Sequence, residues 1–221
     1  MAADDIFKLF DESNPVQKPV QLKHKDWTGS QSSVFKTLAA SNHTDAERKA
    51  FDYYATHPVA GELLMMIEKF SQQIWEPACG EGHLSSVFTE LGFDVKSTDL
   101  VNRGFGEQMD FLSINNTEWI GDIITNPPYS YAKEFIQKAL SIIPDGNKVA
   151  MFLKITFLES QNRAQFFRDT PPIRIWVSSN RIPCAKNGDF VQASKDGSAV
   201  CYAWFIWKKG FQGKPTVDWF N

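Results

Sequence analysis

The residues 122–130 read DIITNPPYS, an apolar run that meets an asparagine, two prolines and a tyrosine. Pro127 and Pro128 have no N–H to extend a ladder, so a strand entering this stretch must stop at Asn126. Each proline fixes its own φ, and the second also holds Pro127 extended. A stiff corner results, carrying an amide side chain, a backbone carbonyl and the ring of Tyr129 in fixed relation. Taken alone, the four residues are equally well explained as a tight strand-to-helix loop with a helix start at Ser130. Three other short stretches bear on the choice. WEPACGEGHLS places Gly80 and Gly82 around Glu81, where glycine permits positive φ and close backbone approach, ahead of a helix N-terminus. The third glycine of a dinucleotide fingerprint is missing, because Ser85 stands in its place; this disfavours a pyrophosphate cofactor and leaves a nucleoside allowed. Asp99 follows Glu76 at nearly the spacing at which an acidic residue bonds ribose hydroxyls. In GEQMDFLS, Asp110 can accept a hydrogen bond from an exocyclic amine and Phe111 offers an aromatic face to a purine.

These stretches need a scaffold that brings them together. From Gln73 onward short apolar runs alternate with amphipathic ones, the pattern of βαβ units and a mostly parallel sheet. Strands are expected at 74–77, 95–99, 122–125, 148–154, 173–177 and 200–207, and helices at 84–91, 131–143 and 159–168. The polar stretch 180–198 has no helical period, which favours an antiparallel final pair joined by a long loop. Upstream, residues 1–43 are expected to be an N-terminal arm, partly irregular. Thr44 and Glu47 have capping-box spacing for a helix over 46–54, and Thr56 is the expected N-cap of a second helix with an apolar stripe of Val59, Leu63, Met66, Ile67 and Phe70. The domain proper then spans 44–221. In an open parallel sheet, ligands sit beyond the carboxyl ends of the strands near the switch point, so Glu76 to Gly82, Asp99, Asp110 and Asn126 are expected in one crevice.

Composition narrows the classes. With 221 residues, 43% hydrophobic and 22% charged, the chain is an ordinary soluble domain without a membrane-length apolar run or a basic secretion start, and a cytoplasmic location is expected. Cys79, Cys184 and Cys201 and four scattered histidines show no metal-ligand spacing, so free thiols and no structural zinc are expected, with Cys79 a small filler. The net charge of −3 hides an asymmetry: residues 1–132 carry −9 and residues 133–221 carry +6. A basic half suits a phosphate backbone, with Lys154, Arg163, Arg181, Lys186 and Lys195 as candidate DNA contacts. The aromatic run YAWFIW, 202–207, reads as core packing.

FDYYATHP, EPACGEG, the acidic strand end STDL, MDFL and TNPPY, in that order, make the chain resemble the S-adenosylmethionine-dependent adenine-N6 DNA methyltransferases of phages and prophages. The resemblance covers roughly residues 51–207. It implies a Rossmann-like class I methyltransferase fold: α/β, a mostly parallel seven-stranded sheet with an antiparallel final strand, and helices on both faces. It implies S-adenosyl-L-methionine as cofactor, held by Tyr54, Thr56, Glu76, Ala78, Gly80, Gly82, Asp99, Leu100, Asp110, Phe111 and Asn126. It also implies a catalytic corner of Asn126, Pro127, Pro128 and Tyr129 acting on adenine in double-stranded DNA. On that resemblance, the Asn126 side-chain oxygen and the Pro127 carbonyl accept the two hydrogens of an unreactive amine while Tyr129 stacks on the flipped base. Larger members carry a sizeable target-recognition domain, whereas here 180–198 is the main spare segment, so recognition is minimal, relaxed or shared with a second subunit of a homodimer. The same motif occurs in methyltransferases of RNA bases and of protein glutamine amides, and a non-catalytic protein on the same scaffold is the remaining alternative.

Overall fold

The computed structural model describes residues 54–115, 118–182, 184–186, 190 and 200–220, all within the second of the two units, 1–43 and 44–221, into which the chain divides. Ten strands and four α-helices are present among them. They run β1 (Tyr54–Thr56), α1 (Val59–Ile67), β2 (Gln73–Glu76), α2 (His83–Glu90), β3 (Asp94–Asp99), β4 (Glu107–Gln108), β5 (Asp122–Thr125), α3 (Ala132–Ile142), β6 (Lys148–Lys154), α4 (Gln161–Asp169), β7 (Arg174–Ser178), β8 (Cys184–Lys186), β9 (Tyr202–Lys208) and β10 (Thr216–Phe220). Short 3-10 turns at Tyr129–Tyr131 and Ile155–Leu158 lead into the chain after β5 and β6.

Eight strands form one sheet in the order β10-β7-β9-β6-β5-β2-β3-β4. All neighbours are parallel except β9, which inserts antiparallel between β6 and β7. The expected antiparallel pairing is therefore present, with two corrections. The sheet has eight strands and not seven, and the last strand in the chain is β10, which adds parallel to β7 at the edge. The exposed TVDW residues of β10 have no continuous apolar run, so the buried-strand pattern misses it.

Side chains of the central strands alternate between two apolar layers, as a sheet covered on both faces requires. Val149, Met151 and Leu153 of β6 and Ala203, Phe205 and Trp207 of β9 face α3 and α4, while Ala150, Phe152, Trp204 and Ile206 face α1 and α2. All six residues of the YAWFIW run are buried, confirming it as packing. Each such large side chain contributes about 1.5–3 kcal/mol of burial.

Upstream of β2 the outcome differs from expectation. Tyr54 lies in β1, not at a helix end, and the rest of the expected helix 46–54 lies outside the described residues, as does the arm 1–43. Thr56 is also in β1; Pro58 occupies the N-cap position of α1, with no side-chain capping bond. The buried face of α1 is Ala60, Gly61 and Leu64, while Met66 is 80% exposed. Small residues decide that phase: a Cβ on Gly61 would stand 3.2 Å from both Leu84 and Phe88 of α2. Among the described residues no helix is long and apolar enough to cross a membrane.

Candidate functional site

The chain moves outward from β2 to β3 and β4, then returns on the other side of β2 with β5, so the switch point lies between β2 and β5. A crevice of about 600 Å³ opens there. Of the residues expected in the site, it is lined by Tyr54, Thr56, Glu76, Ala78, Asp99, Leu100, Asp110, Phe111, Asn126, Pro127, Pro128 and Tyr129. Gly80 and Gly82 do not border it. They shape the turn instead: both have positive φ, and a Cβ on Gly82 would fall 2.5 Å from the Phe105 ring. The Gly80 N–H donates to Asp99 Oδ2 at 2.8 Å, and the Val101 N–H donates to Oδ1 at 2.8 Å, fixing the carboxylate at the end of β3.

Glu76 closes β2 and is 2% exposed. Ser85 Oγ donates to its Oε2, and Ser97 Oγ donates to Ser85 Oγ at 2.6 Å. Burial pushes the Glu76 carboxyl up to about 8 against the opposing Ser85 bond, and the nearby Asp99 charge raises it further. Near pH 7 this acid is mostly neutral. Burial likewise pushes the Cys79 thiol up to about 12, helped by Glu76 and Asp99, so it stays a thiol and acts as filler. Phe111 departs from expectation: it borders the crevice but is 2% exposed, its ring centre 5.3 Å from Trp75 and 5.1 Å from Phe135, so it serves the core first. Asp110 is exposed at the crevice, where its Oδ1 accepts the Leu112 N–H at 3.0 Å.

The DIIT run is fully buried as β5 and delivers Asn126 to the crevice, where the Pro-Pro pair ends the ladder as its chemistry requires. Asn126 Nδ2 donates to the Tyr54 carbonyl at 2.9 Å. A carbonyl can only accept, so the amide is oriented with Oδ1 turned the other way, and that oxygen is buried with no hydrogen-bond partner among the described residues. Tyr129 opens the 3-10 turn that follows, steadied by the Tyr131 N–H donating to the Pro128 carbonyl at 2.9 Å. The Tyr129 ring stacks near Tyr54 (centroids 6.3 Å, 27°), lies 6.2 Å from Tyr202 and has Lys154 Nζ 4.8 Å from its centre. Its hydroxyl donates to Cys184 Sγ at 3.8 Å, and burial holds the phenol well above its usual range.

Tyr54 and Cys184 belong to a two-stranded antiparallel ladder, β1 with β8, outside the main sheet. Two strands of three residues carry no readable period, and this support for the corner was not legible in sequence. Thr56 Oγ1, on the same ladder and at the crevice, is buried with no hydrogen-bond partner among the described residues. Val101, Arg103, Met109, Leu112 and Tyr131 also line the crevice without having been expected. The usable signal was adjacency: Val101 follows the acidic strand end, and Met109 and Leu112 flank Asp110 and Phe111. His57 Nδ1 accepts the Val59 N–H at 3.3 Å at the start of α1, and His83 lies at the crevice, each ring meeting Phe190 edge-on.

The candidate DNA contacts divide. Lys154 sits at the corner. Arg163 is tied down, its Nε donating to the Phe157 carbonyl and its Nη2 to the Glu159 carbonyl, both at 2.8 Å. Arg181 is exposed on the chain leading to β8. Lys195 and the Lys186 side chain lie outside the described residues, as does most of the expected recognition segment. Among the described residues no group of acidic, histidine and cysteine side chains could hold a metal ion.

No protein-family model and no curated protein sequence matches the chain. Solved structures do match in fold. A protein assigned as a class I S-adenosylmethionine-dependent methyltransferase from Listeria monocytogenes is 13% identical over 86% of this chain and 70% of its own, with a TM-score of 0.54. A protein predicted to be an O-methyltransferase from Agrobacterium tumefaciens is 12% identical over 72% and 85%, with a TM-score of 0.50. The type IIG restriction endonuclease BpuSI is 16% identical over 75% of this chain and 27% of its own, also at 0.50. The chain therefore has the Rossmann-like fold of class I methyltransferases.

Proposed function

We propose that this protein transfers a methyl group from S-adenosylmethionine to the N6 amine of adenine in DNA, acting on a base drawn out of the duplex. The observation that carries this reading is the Asn126 amide, which lines the crevice: Nδ2 is bound to the Tyr54 carbonyl, and Oδ1 is buried with no partner among the described residues. A buried acceptor without a donor costs about 1–3 kcal/mol unless a ligand supplies one.

The residues present fit the methyl donor. The crevice falls within the roughly 300–1,000 Å³ range of small-molecule sites, Asp99 keeps acceptor capacity for ribose hydroxyls, and the Thr56 hydroxyl awaits a polar partner. Asp110, exposed at the same crevice, is placed to accept from the exocyclic amine of the donor's base. Bound there, the donor supplies an electrophilic methyl on a sulfonium. The protein's part is positioning and charge. An adenine N6 lone pair is delocalised into its ring; Asn126 Oδ1 and the Pro127 carbonyl, accepting its two hydrogens, favour a pyramidal nitrogen and face the positive charge that develops there. Tyr129, held protonated, offers a ring and not a base. DNA as acceptor is supported by the positive second half of the chain and by the fold likeness to a restriction endonuclease.

The test is incubation of the protein with labelled donor and mixed DNA, RNA and protein pools, followed by mapping of the modified atom. Label on adenine N6 of DNA is expected. Label confined to RNA or to glutamine amides would overturn the acceptor assignment, and absence of donor binding by calorimetry would overturn the reading as a whole.

A further inference from the structure

Behind Tyr129 lies a second hollow, of about 130 Å³, formed with Lys154, Thr156, Phe157 and Arg163 among its walls. Among the described residues Tyr129 alone lines both this hollow and the larger crevice. Among the described residues no carboxylate lines the hollow, and two cations do. They are not equivalent. The Arg163 guanidinium is fixed by its bonds to the Phe157 and Glu159 carbonyls and lies 4.7 Å from the centre of the Phe157 ring. Lys154 closes β6, parallel to β5, and so emerges beside the Asn126 corner. Among the described residues its ammonium finds the face of Tyr129 and neither a hydrogen bond nor an ion pair.

We propose that this hollow receives the nucleic-acid phosphodiester adjoining the acceptor base, with Lys154 as its counter-charge and Thr156 as a hydroxyl donor. The assignment rests on the reading of the crevice as a nucleic-acid methyltransferase site. A nucleotide joins a flat, neutral base to an anion one sugar away, and the site sets the flat ring of Tyr129 beside a cation that has no ion-pair partner among the described residues. Lys154 lines the hollow and not the crevice, so its ammonium holds the Tyr129 ring by cation–π attraction without occupying the crevice in which a base stacks, and it meets the phosphate from the hollow. Arg163 contributes a fixed positive field without moving. Lys154 is thus a specificity residue for polyanionic acceptors.

The experiment compares the full-length wild type with Lys154→Gln and Lys154→Arg, donor present, binding a duplex that carries the mapped methylation site at several salt concentrations. An RNA oligonucleotide and inorganic phosphate serve as parallel ligands. Lys154→Gln is expected to weaken duplex binding about fivefold to tenfold, lower the log–log salt slope by about one and raise KM for DNA. Its donor affinity stays unchanged, and Lys154→Arg restores the slope. Tighter binding of RNA than duplex would shift the acceptor to RNA, and capture of phosphate alone would make the hollow a simple anion site, overturning the nucleotide assignment. If wild type methylates DNA yet Lys154→Gln keeps its slope and KM, the hollow is wrongly assigned and the methyltransferase reading stands. If wild type methylates no nucleic acid, both fall. Lys154→Met, which keeps the chain length and the packing on Tyr129, repeats the measurement should the Gln variant lose donor binding.

Discussion

Strand β5 begins at Asp122 and passes into Asn126 just beyond its end, and the two side chains live in opposite conditions. Asp122 is buried and satisfied: Oδ2 accepts the Ser71 N–H at 2.6 Å and Oδ1 the Lys148 N–H at 2.7 Å. Its neighbour at the same end of the sheet, Glu68, accepts from Lys148 Nζ at 2.8 Å, from Trp176 Nε1 at 3.0 Å and from the Arg174 guanidinium. At the other end, Asn126 Oδ1 and Thr56 Oγ1 are buried without partners among the described residues, and burial keeps Glu76 mostly neutral near pH 7. One sheet therefore separates a closed electrostatic end from an open one. Polar groups at the strand starts complete each other and hold the fold; at the strand ends Asp99 and Glu76 are bonded, but Asn126 Oδ1 and Thr56 Oγ1 have no partner among the described residues. Unmet buried polar groups are costly, so where they collect is where a ligand is expected to repay them.

The sharpest separation of the two ends comes from Asn126→Ala. Methyl transfer is expected to fall by about 10²–10³-fold, the scale of removing one preorganised charge-stabilising group, while donor affinity by calorimetry stays near wild type. In the donor-free protein the lost Nδ2 bond to Tyr54, about 1 kcal/mol, is offset by removal of the buried unpartnered Oδ1, so Tm is expected to shift by no more than a few degrees in either direction. A variant as active as wild type would remove Asn126 from the chemistry. Glu68→Ala is the converse. It strips the shared partner from Lys148 and Arg174, at a cost of about 3 kcal/mol and roughly 6–12 °C, with turnover of the surviving folded protein unchanged. The Arg174 share is the smaller, since that side chain is 37% exposed and solvent screens it.

The same two ends should answer pH with opposite signs. Burial alone would raise the Glu68 carboxyl, but the Lys148 and Trp176 hydrogen bonds and the two cations hold it below its usual range. Its contribution is present above the ordinary value of 4.5 and is lost as pH falls through the lowered folded value. Glu76 runs the other way: with its folded value at about 8, the native state holds a proton the unfolded chain has released, so stability declines as pH rises from 4.5 to about 8. Within that window the slope approaches about 1.4 kcal/mol per pH unit. Glu76→Gln keeps the neutral shape and should flatten the decline in denaturant titrations between pH 5 and 9, whereas an unchanged slope would show that Glu76 is ionised in the native state.

How much of this could be read beforehand follows the strength of local signals. Continuous apolar runs gave β5, β6 and β9, because strands covered on both faces leave no alternative composition. Proline chemistry gave the stop at Asn126. Twelve of the fourteen expected donor and corner residues border the crevice, most of them at or just beyond strand ends of the main sheet; Gly80 and Gly82 do not, because a glycine's use there is to let Phe105 and Asp99 approach. What escaped was carried by pairing between distant short segments: β1 with β8 places Tyr54 and Cys184 around the corner, and their strands of three residues hold no period that marks a strand. The phase of α1 escaped too, because its buried face is made of alanine and glycine beside one leucine, residues that apolar counting underweights.

Cys184→Ala is expected to have the smallest effect, and it tests whether the short ladder positions the corner or merely covers it. The Tyr129 hydroxyl donates to Cys184 Sγ at 3.8 Å, and sulfur is a weak acceptor, so the bond is worth about 0.5 kcal/mol. The thiol itself, pushed by burial up to about 11, takes no charge near neutrality. If the bond orients the ring, Cys184→Ala should lower kcat roughly twofold with donor affinity unchanged, Cys184→Ser should restore it, and Tyr129→Phe should lose the same factor. The double variant Tyr129→Phe with Cys184→Ala should then be no worse than either single one, because each removes the same interaction. Losses that multiply would mean that the two side chains act separately, and that the ring is held by its stacking with Tyr54 and Tyr202 and not by its hydroxyl.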